Sequence, residues 1–186
     1  VFPWYNPDEP ILWWSPDPRF GFAAGKVHLS RSRIRQLRKN NWIIRVDSQF
    51  ESVIRQCASV TRKGQNGTWI SEEMIFAYNN LFNLGYAHSI EVFDGDHLVG
   101  GLYGLAIGQM FFALFALGQQ LANWQWPWID CQIENPHLKL LGGKSISRID
   151  FMELLAVQLN RPVVSGSWST LFPCYSLEHY LQLNII

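Results

Sequence analysis

Asp130 and Gln132 stand two residues apart in the run Trp128-Ile129-Asp130-Cys131-Gln132, which reads as a buried strand ending in polar groups. Successive side chains of a strand point to opposite faces, so residues two apart share one. A carboxylate beside a carboxamide can polarise it, and the amide carbonyl oxygen then accepts a proton. The same pair would equally serve to satisfy backbone groups at a strand end. No Ser/His/Asp set is apparent. The five histidines are scattered, and His88 falls within a strand as a core group or a support behind a site. Nothing has the spacing of a metal site, and no cofactor is expected.

A second chemistry-bearing stretch is Phe2 to Arg19, FPWYNPDEPILWWSPDPR, with five prolines and three tryptophans. Proline fixes φ and removes a backbone donor, so this run is neither a helix interior nor a central strand. Tryptophans on a proline-braced loop offer stacking surfaces for a base, a sugar or an apolar side chain. Indoles that merely cover the core would look the same. Arg31, Arg33, Arg35, Arg38 and Lys39 form a basic cluster suited to the phosphates of an RNA stem, or to a solvated helix face.

These groups need elements to hold them. Ser30 or Ser32 can cap a short helix through the basic cluster. Trp42 to Val46 reads as a strand ended by Asp47, and Phe50 to Ser59 carries a helical apolar stripe. The polar run 62–67 is a loop. Ser71-Glu72-Glu73-Met74 opens a helix that reaches Gly85. His88 to Phe93 and His97 to Ala106, joined by Asp94-Gly95-Asp96, are a hairpin. A helical stretch is expected around Ala113 to Trp124, then the strand Trp128 to Gln132, then a helix from Ile149 to Leu159. The order is that of an α/β fold with a mixed sheet and flanking helices.

At 186 residues, 48% apolar and 16% charged, the chain suits one domain with a small appendage. Fifteen basic and fifteen acidic residues give no net charge, which argues against coating nucleic acid along its length but allows a grip on one RNA end. Cys57, Cys131 and Cys174 are too far apart and too odd in number for a disulfide framework, and suit a reducing cytosol. The longest apolar run, Met110 to Leu117, falls well short of the roughly 18 residues that span a bilayer. No signal peptide is visible.

The segment FPWYNPDEPILWWSPDPR resembles the hallmark of the bacterial leucyl/phenylalanyl-tRNA–protein transferase family. Leu29-Ser30-Arg31-Ser32, Gly67-Thr68-Trp69-Ile70, Ala87-His88-Ser89-Ile90-Glu91-Val92, Gly100-Gly101-Leu102-Tyr103-Gly104, Ile129-Asp130-Cys131-Gln132 and His137-Leu138-Lys139-Leu140-Leu141-Gly142-Gly143 follow in register. The resemblance implies a fold like the GCN5-related N-acetyltransferases over residues 21–186, with residues 1–20 the end of a small N-terminal domain. It implies a monomeric cytoplasmic enzyme that moves leucine or phenylalanine, and possibly methionine, from aminoacyl-tRNA to proteins beginning with Arg or Lys. The product is an N-terminal degradation signal.

Residue by residue, the resemblance makes Asp130 and Gln132 catalytic, with the Gln132 carbonyl oxygen taking the proton of the attacking amine. Asn135 matches a position near the aminoacyl amino group. Trp4 and Trp69 match aromatics that hold the terminal adenosine, and Tyr78, four residues from Met74 on one helix, can offer its hydroxyl to the same nucleotide. Leu102, Met110, Phe111, Leu114 and Leu117 are candidates for the side-chain pocket, although such spacings equally describe core. Arg31, Arg33, Arg35, Arg38 and Lys39 would follow the acceptor stem.

One departure stands out. Between Phe112 and Ala113 the family carries a Gly-Glu-Ser-Met-Phe-Ser-like segment, and about a dozen residues are missing here, the length of a functional loop. Either the sequence omits residues of the natural protein at that point, as the abrupt start at Val1 suggests, or the deletion is real. An intact mass near 21.5 kDa marks a real deletion. Two other functions fit parts of the sequence. An acetyl-CoA-dependent acetyltransferase would need a Gly-rich pyrophosphate loop, and none stands between Gly100 and Trp124. A non-catalytic module binding an RNA end or peptide would keep its affinity when Gln132 is replaced by Ala.

Overall fold

A computed structural model describes residues 2–3, 5, 9–60, 70–107, 110–111, 121–162, 166–172 and 176. The elements are β1 (Phe2–Pro3), β2 (Trp13–Trp14), β3 (Arg19–Ala23), α1 (Arg31–Leu37), β4 (Ile43–Val46), α2 (Phe50–Ser59), α3 (Glu72–Asn83), β5 (Ala87–Asp94), β6 (His97–Leu105) and β7 (Met110–Phe111). β8 (Trp128–Gln132), α4 (Pro136–Leu140), β9 (Lys144–Ile146), α5 (Arg148–Leu159) and a 3-10 turn at Trp168–Thr170 follow.

The mixed α/β character stands, with a difference in sheet organisation. Among the described residues the strands form a four-stranded sheet ordered β7-β8-β3-β9, a three-stranded sheet β4-β5-β6 and the two-residue pair β1-β2. All pairings are antiparallel except β7 with β8. Among its described residues the proline-rich segment contributes the short β1-β2 ladder before its last residue, Arg19, opens β3, in keeping with its missing donors. The expected loop at 62–67 and most of the helical stretch 113–124 lie outside the described residues.

Serine and asparagine caps set where the helices begin. Ser30, Ser71, Asn135 and Ser147 each accept a main-chain N–H from the first turn of α1, α3, α4 and α5. α2 buries Phe50, Val53 and Ile54 along one stripe and is held at its start by Glu91, as described below. The β5-β6 hairpin turns at Gly95-Asp96 with Gly95 at φ +59°, a conformation that glycine adopts without a Cβ penalty.

β3 is the strand the sequence pattern did not announce. It reads Arg-Phe-Gly-Phe-Ala and lies between β8 and β9, with its first four residues buried. Phe22, Ile129, Trp126, Trp168 and Leu121 belong to the main core, and Ile34 and Leu37 of α1 pack against it. A Cβ at Gly21 would collide with the Ile129 carbonyl oxygen and the Trp128 indole, so this residue lets β3 approach β8.

Candidate functional site

Asp130 sits on β8 opposite Gly21 of β3, and Gln132 sits opposite Phe20. Two residues of β3 thus face three of β8, a bulge that leaves Cys131 as the extra residue. At Gln132 the chain leaves extended geometry altogether, with φ +69°. The Ile133 N–H donates to the Cys131 carbonyl at 2.8 Å, closing a two-residue-apart hydrogen bond around Gln132 in the pattern of a γ-turn. The alternation expected to place the Asp130 and Gln132 side chains side by side is therefore interrupted. Asp130 instead meets Gln132 through the main chain, its Oδ1 accepting the Gln132 N–H at 3.0 Å.

The strongest partner of Asp130 is Arg19. Arg19 Nε donates to Asp130 Oδ1 at 2.8 Å and Nη2 donates to Oδ2, a two-pronged pairing. Both residues are almost wholly buried, at 2% and 1% exposure. The guanidinium also lies over the rings of Phe151 and Phe2, 4.9 and 5.3 Å from their centroids. Burial raises the Asp130 carboxyl above its ordinary value of 3.8, and the Arg19 hydrogen bonds and charge pull it back in part. Arg19 was not among the residues singled out for chemistry. The signal was present: it closes the Trp-Trp-Ser-Pro-Asp-Pro-Arg motif, and a buried Arg needs an acid.

Cys131, between the two polar residues, has its thiol pushed up to about 12 by burial and by the Asp130 charge. Such a thiol is inert as a nucleophile near neutrality. Tyr78 packs edge-on against Tyr103, ring centroids 5.2 Å apart, and burial raises its phenol. Leu102 pairs across from Ile90 and packs on the main core. Asn135 commits its Oδ1 to the His137 and Leu138 N–H groups at 2.8 and 3.1 Å, which leaves only its NH2 for a ligand. Trp4, Trp69, Leu114, Leu117 and the side chains of Met110 and Phe111 lie outside the described residues.

On α1, Arg31, Arg35, Arg38 and the following Lys39 are exposed, and Arg33 is half-buried. Arg31, Arg35 and Arg38 recur at helical spacing on one face, while Ile34 and Leu37 turn to the core. Among the described residues none of the five basic side chains is ion-paired with an acid. A groove of about 750 Å³ between α2 and α3, lined by Ser48, Glu51, Arg55, Glu72, Phe76 and Asn79, holds none of the candidate site residues named from the sequence. No helix among the described residues is long and apolar enough to cross a membrane.

His88, expected in the core or behind a site, is fully buried on β5. Its Nδ1 lies 2.9 Å from Asp47 Oδ2. Asp47 also accepts the N–H groups of Ser89 at 3.0 Å and Trp168 at 2.7 Å. Nearby, the buried Glu91 accepts from Ser89 Oγ at 2.5 Å, from Ser48 Oγ at 2.9 Å and from the Gln49 N–H at 3.3 Å. Glu91 thereby anchors the two residues that lead into α2, whose N-cap Gln49 makes no side-chain cap bond.

Comparison with known proteins places this chain in a family. Residues 22–156 match the model described as leucyl/phenylalanyl-tRNA protein transferase, and residues 1–17 match that of its N-terminal domain. A protein of Xanthomonas axonopodis pv. citri named leucyl/phenylalanyl-tRNA–protein transferase is 49% identical, over 91% of this chain and 74% of its own. Its namesakes from Xanthomonas euvesicatoria pv. vesicatoria and Shewanella baltica are 50% and 46% identical, over 91% of this chain and 73% and 77% of theirs.

Proposed function

Because the chain belongs to the leucyl/phenylalanyl-tRNA–protein transferase family, we propose that it moves leucine or phenylalanine from aminoacyl-tRNA to the α-amino group of proteins beginning with Arg or Lys. The chain is an aminoacyl-tRNA-dependent transferase, and its reaction is aminoacyl transfer from tRNA to protein. The narrower substrates belong to the proposal, as does the product's role as an N-terminal degradation signal. So do a cytoplasmic monomer, an acetyltransferase-like fold for residues 21–186 and an N-terminal domain end at residues 1–20.

The site residues take these roles. The free amine attacks the ester carbonyl carbon, forming the new amide bond as the bond to the ribose oxygen breaks. The amine proton passes to Gln132 Oε1 and on to the departing ribose oxygen. Asp130 fixes the main chain at Gln132 through the contact the geometry provides, whereas polarising the Gln132 amide takes a side-chain contact beyond that main-chain bond. The exposed Arg31, Arg35 and Arg38 face, with Lys39, lies along acceptor-stem phosphates. Trp4, Trp69 and Tyr78 hold the terminal adenosine, Asn135 the aminoacyl amine, and Leu102, Met110, Phe111, Leu114 and Leu117 the side chain. A pocket of that kind favours Leu and Phe over neighbours by about 1–3 kcal/mol per methylene, so methionine leaks through.

One observation carries the chemistry: a buried, two-pronged Arg–Asp pair stands beside a Gln held at positive φ. Backbone outliers of this kind cluster at functional sites. The raised thiol of Cys131 supports direct attack by the amine over a thioester intermediate. The test is transfer of labelled leucine from Leu-tRNA to a protein starting with Lys or Arg, against an Ala-starting control. Label on the Lys and Arg proteins alone is the expected result. No label with tRNA binding intact would overturn the proposal in favour of a binding module.

A further inference from the structure

We propose that Arg19 is a positioning residue of the transfer reaction, holding Asp130 so that Asp130 fixes the main chain at Gln132. The inference rests on the reading of Asp130 and Gln132 as the transfer machinery. Arg19 reaches no substrate, because it is 2% exposed and its polar edge is spent on the carboxylate. Its action must pass through Asp130.

The geometry of that action is specific. Asp130 Oδ1 accepts two hydrogen bonds, from Arg19 Nε at 2.8 Å and from the Gln132 N–H at 3.0 Å. One oxygen thus links the guanidinium to the backbone of the residue at φ +69°. A side-chain-bearing residue does not hold that conformation unless its surroundings impose it. The second prong, from Nη2 to Oδ2, stops the carboxylate from rotating about its own axis and releasing Oδ1. Phe2 of β1 and Phe151 of α5 carry rings within cation–π distance of the guanidinium, so three separated stretches of chain fix its position.

Stability alone gives a poor account of this arrangement. Two ions removed from water lose hydration that their attraction rarely exceeds, and apolar residues of similar volume often serve as well. Here the pair adjoins a strained backbone position and a bulge, where side chains are re-aimed. A lysine would keep the charge but present one point in place of a fork. The arrangement therefore needs the planar guanidinium, as an orienting device would.

Steady-state transfer of labelled leucine from Leu-tRNA to a Lys-starting peptide tests the proposal, with wild type, Arg19→Lys and Arg19→Ala compared. Misplacement of a reacting group by about 1 Å costs on the order of 100-fold in rate, so kcat is expected to fall about 100-fold in Arg19→Ala. KM for both substrates should stay within about twofold, because neither binding surface is touched. Millimolar ethylguanidinium should restore part of the lost turnover to Arg19→Ala, and Arg19→Lys should fall between the two. A folded Arg19→Lys protein, checked by circular dichroism, with wild-type kcat overturns the proposal even where Arg19→Ala fails to fold. So does a loss of kcat in Arg19→Ala matched by an equal change in KM and unmoved by ethylguanidinium. Asp130→Asn and Gln132→Ala are assayed alongside. Should both keep full turnover, the reading of the site itself fails; should both lose it while Arg19→Lys does not, only the role of Arg19 falls.

Discussion

The imidazole of His88 lies flat on the indole of Trp168, with ring centroids 3.8 Å apart and planes 7° from parallel. The two residues are eighty positions apart, and Asp47 joins them a second time. Its carboxylate bonds the His88 ring at 2.9 Å and the Trp168 N–H at 2.7 Å. This knot ties the 3-10 turn near the C-terminus to β5 and the end of β4. Trp168 has no exposed surface and joins Trp124 and Trp126 in the core. Replacing Asp47 by Ala removes the acceptor that the Ser89 and Trp168 main-chain N–H groups and the His88 ring share. Loss of a buried hydrogen-bond partner costs about 1–3 kcal/mol, so a clearly lower Tm by circular dichroism is expected. An unchanged Tm would mean that the knot contributes nothing.

The pH dependence of turnover follows from Asp130. Burial raises this carboxyl above 3.8 against the opposing pull of Arg19. The reaction as proposed needs the carboxylate, so kcat falls as pH drops through the raised value, above the ordinary aspartate range. A carboxyl raised in the folded state stabilises the fold below its unfolded value and loses that contribution as pH rises through the folded one. Wild type should therefore lose urea resistance relative to Asp130→Asn over that interval. An acid limb of kcat at or below pH 3.8 contradicts both expectations.

Catalysis itself depends on the same carboxylate. Asp130→Ala leaves the Arg19 guanidinium buried without an anion, which costs about 3–5 kcal/mol of stability, and also frees the Gln132 main chain. Turnover per folded molecule, measured at a temperature where the variant stays native, should fall steeply. Unchanged turnover would remove Asp130 and Gln132 from the chemistry.

Cys131 offers a chemical check on the burial of the site. With its thiol pushed up to about 12, it should resist iodoacetamide at pH 8 in the native protein and react once urea unfolds the chain. Mass spectrometry of the peptide carrying Cys131 distinguishes the two. Prompt labelling of the native protein would show that β8 is open to solvent.

The basic face of α1 makes a prediction about RNA. Arg31, Arg35 and Arg38 are exposed on one side of the helix, and none is paired with an acid among the described residues. Each Arg→Ala change there should weaken Leu-tRNA binding and reduce the slope of log affinity against log salt by about 1. Peptide KM should be untouched. A salt slope unaffected by the triple substitution would make this a solvated helix face.

Much of the local structure was written in the chain. Ser30, Ser71 and Ser147 cap their helices, the Phe50-Val53-Ile54 stripe faces the core, and Gly95 turns the hairpin, since each is set by neighbours within a few residues. The strand Trp128–Gln132 and the basic face of α1 were legible for the same reason, and the family followed from motifs in register. Tertiary structure alone decided what Asp130 does. Its partner is 111 residues away, and no periodicity announces a central strand as irregular as Arg19-Phe20-Gly21-Phe22-Ala23. The alternation rule placed Asp130 and Gln132 on one face, but a bulge and a positive φ replaced that relation with a main-chain hydrogen bond. Spacing along a strand fixes direction only while the strand stays regular. Where a buried ion pair and a close glycine contact reshape the backbone, contacts distant in sequence set the geometry.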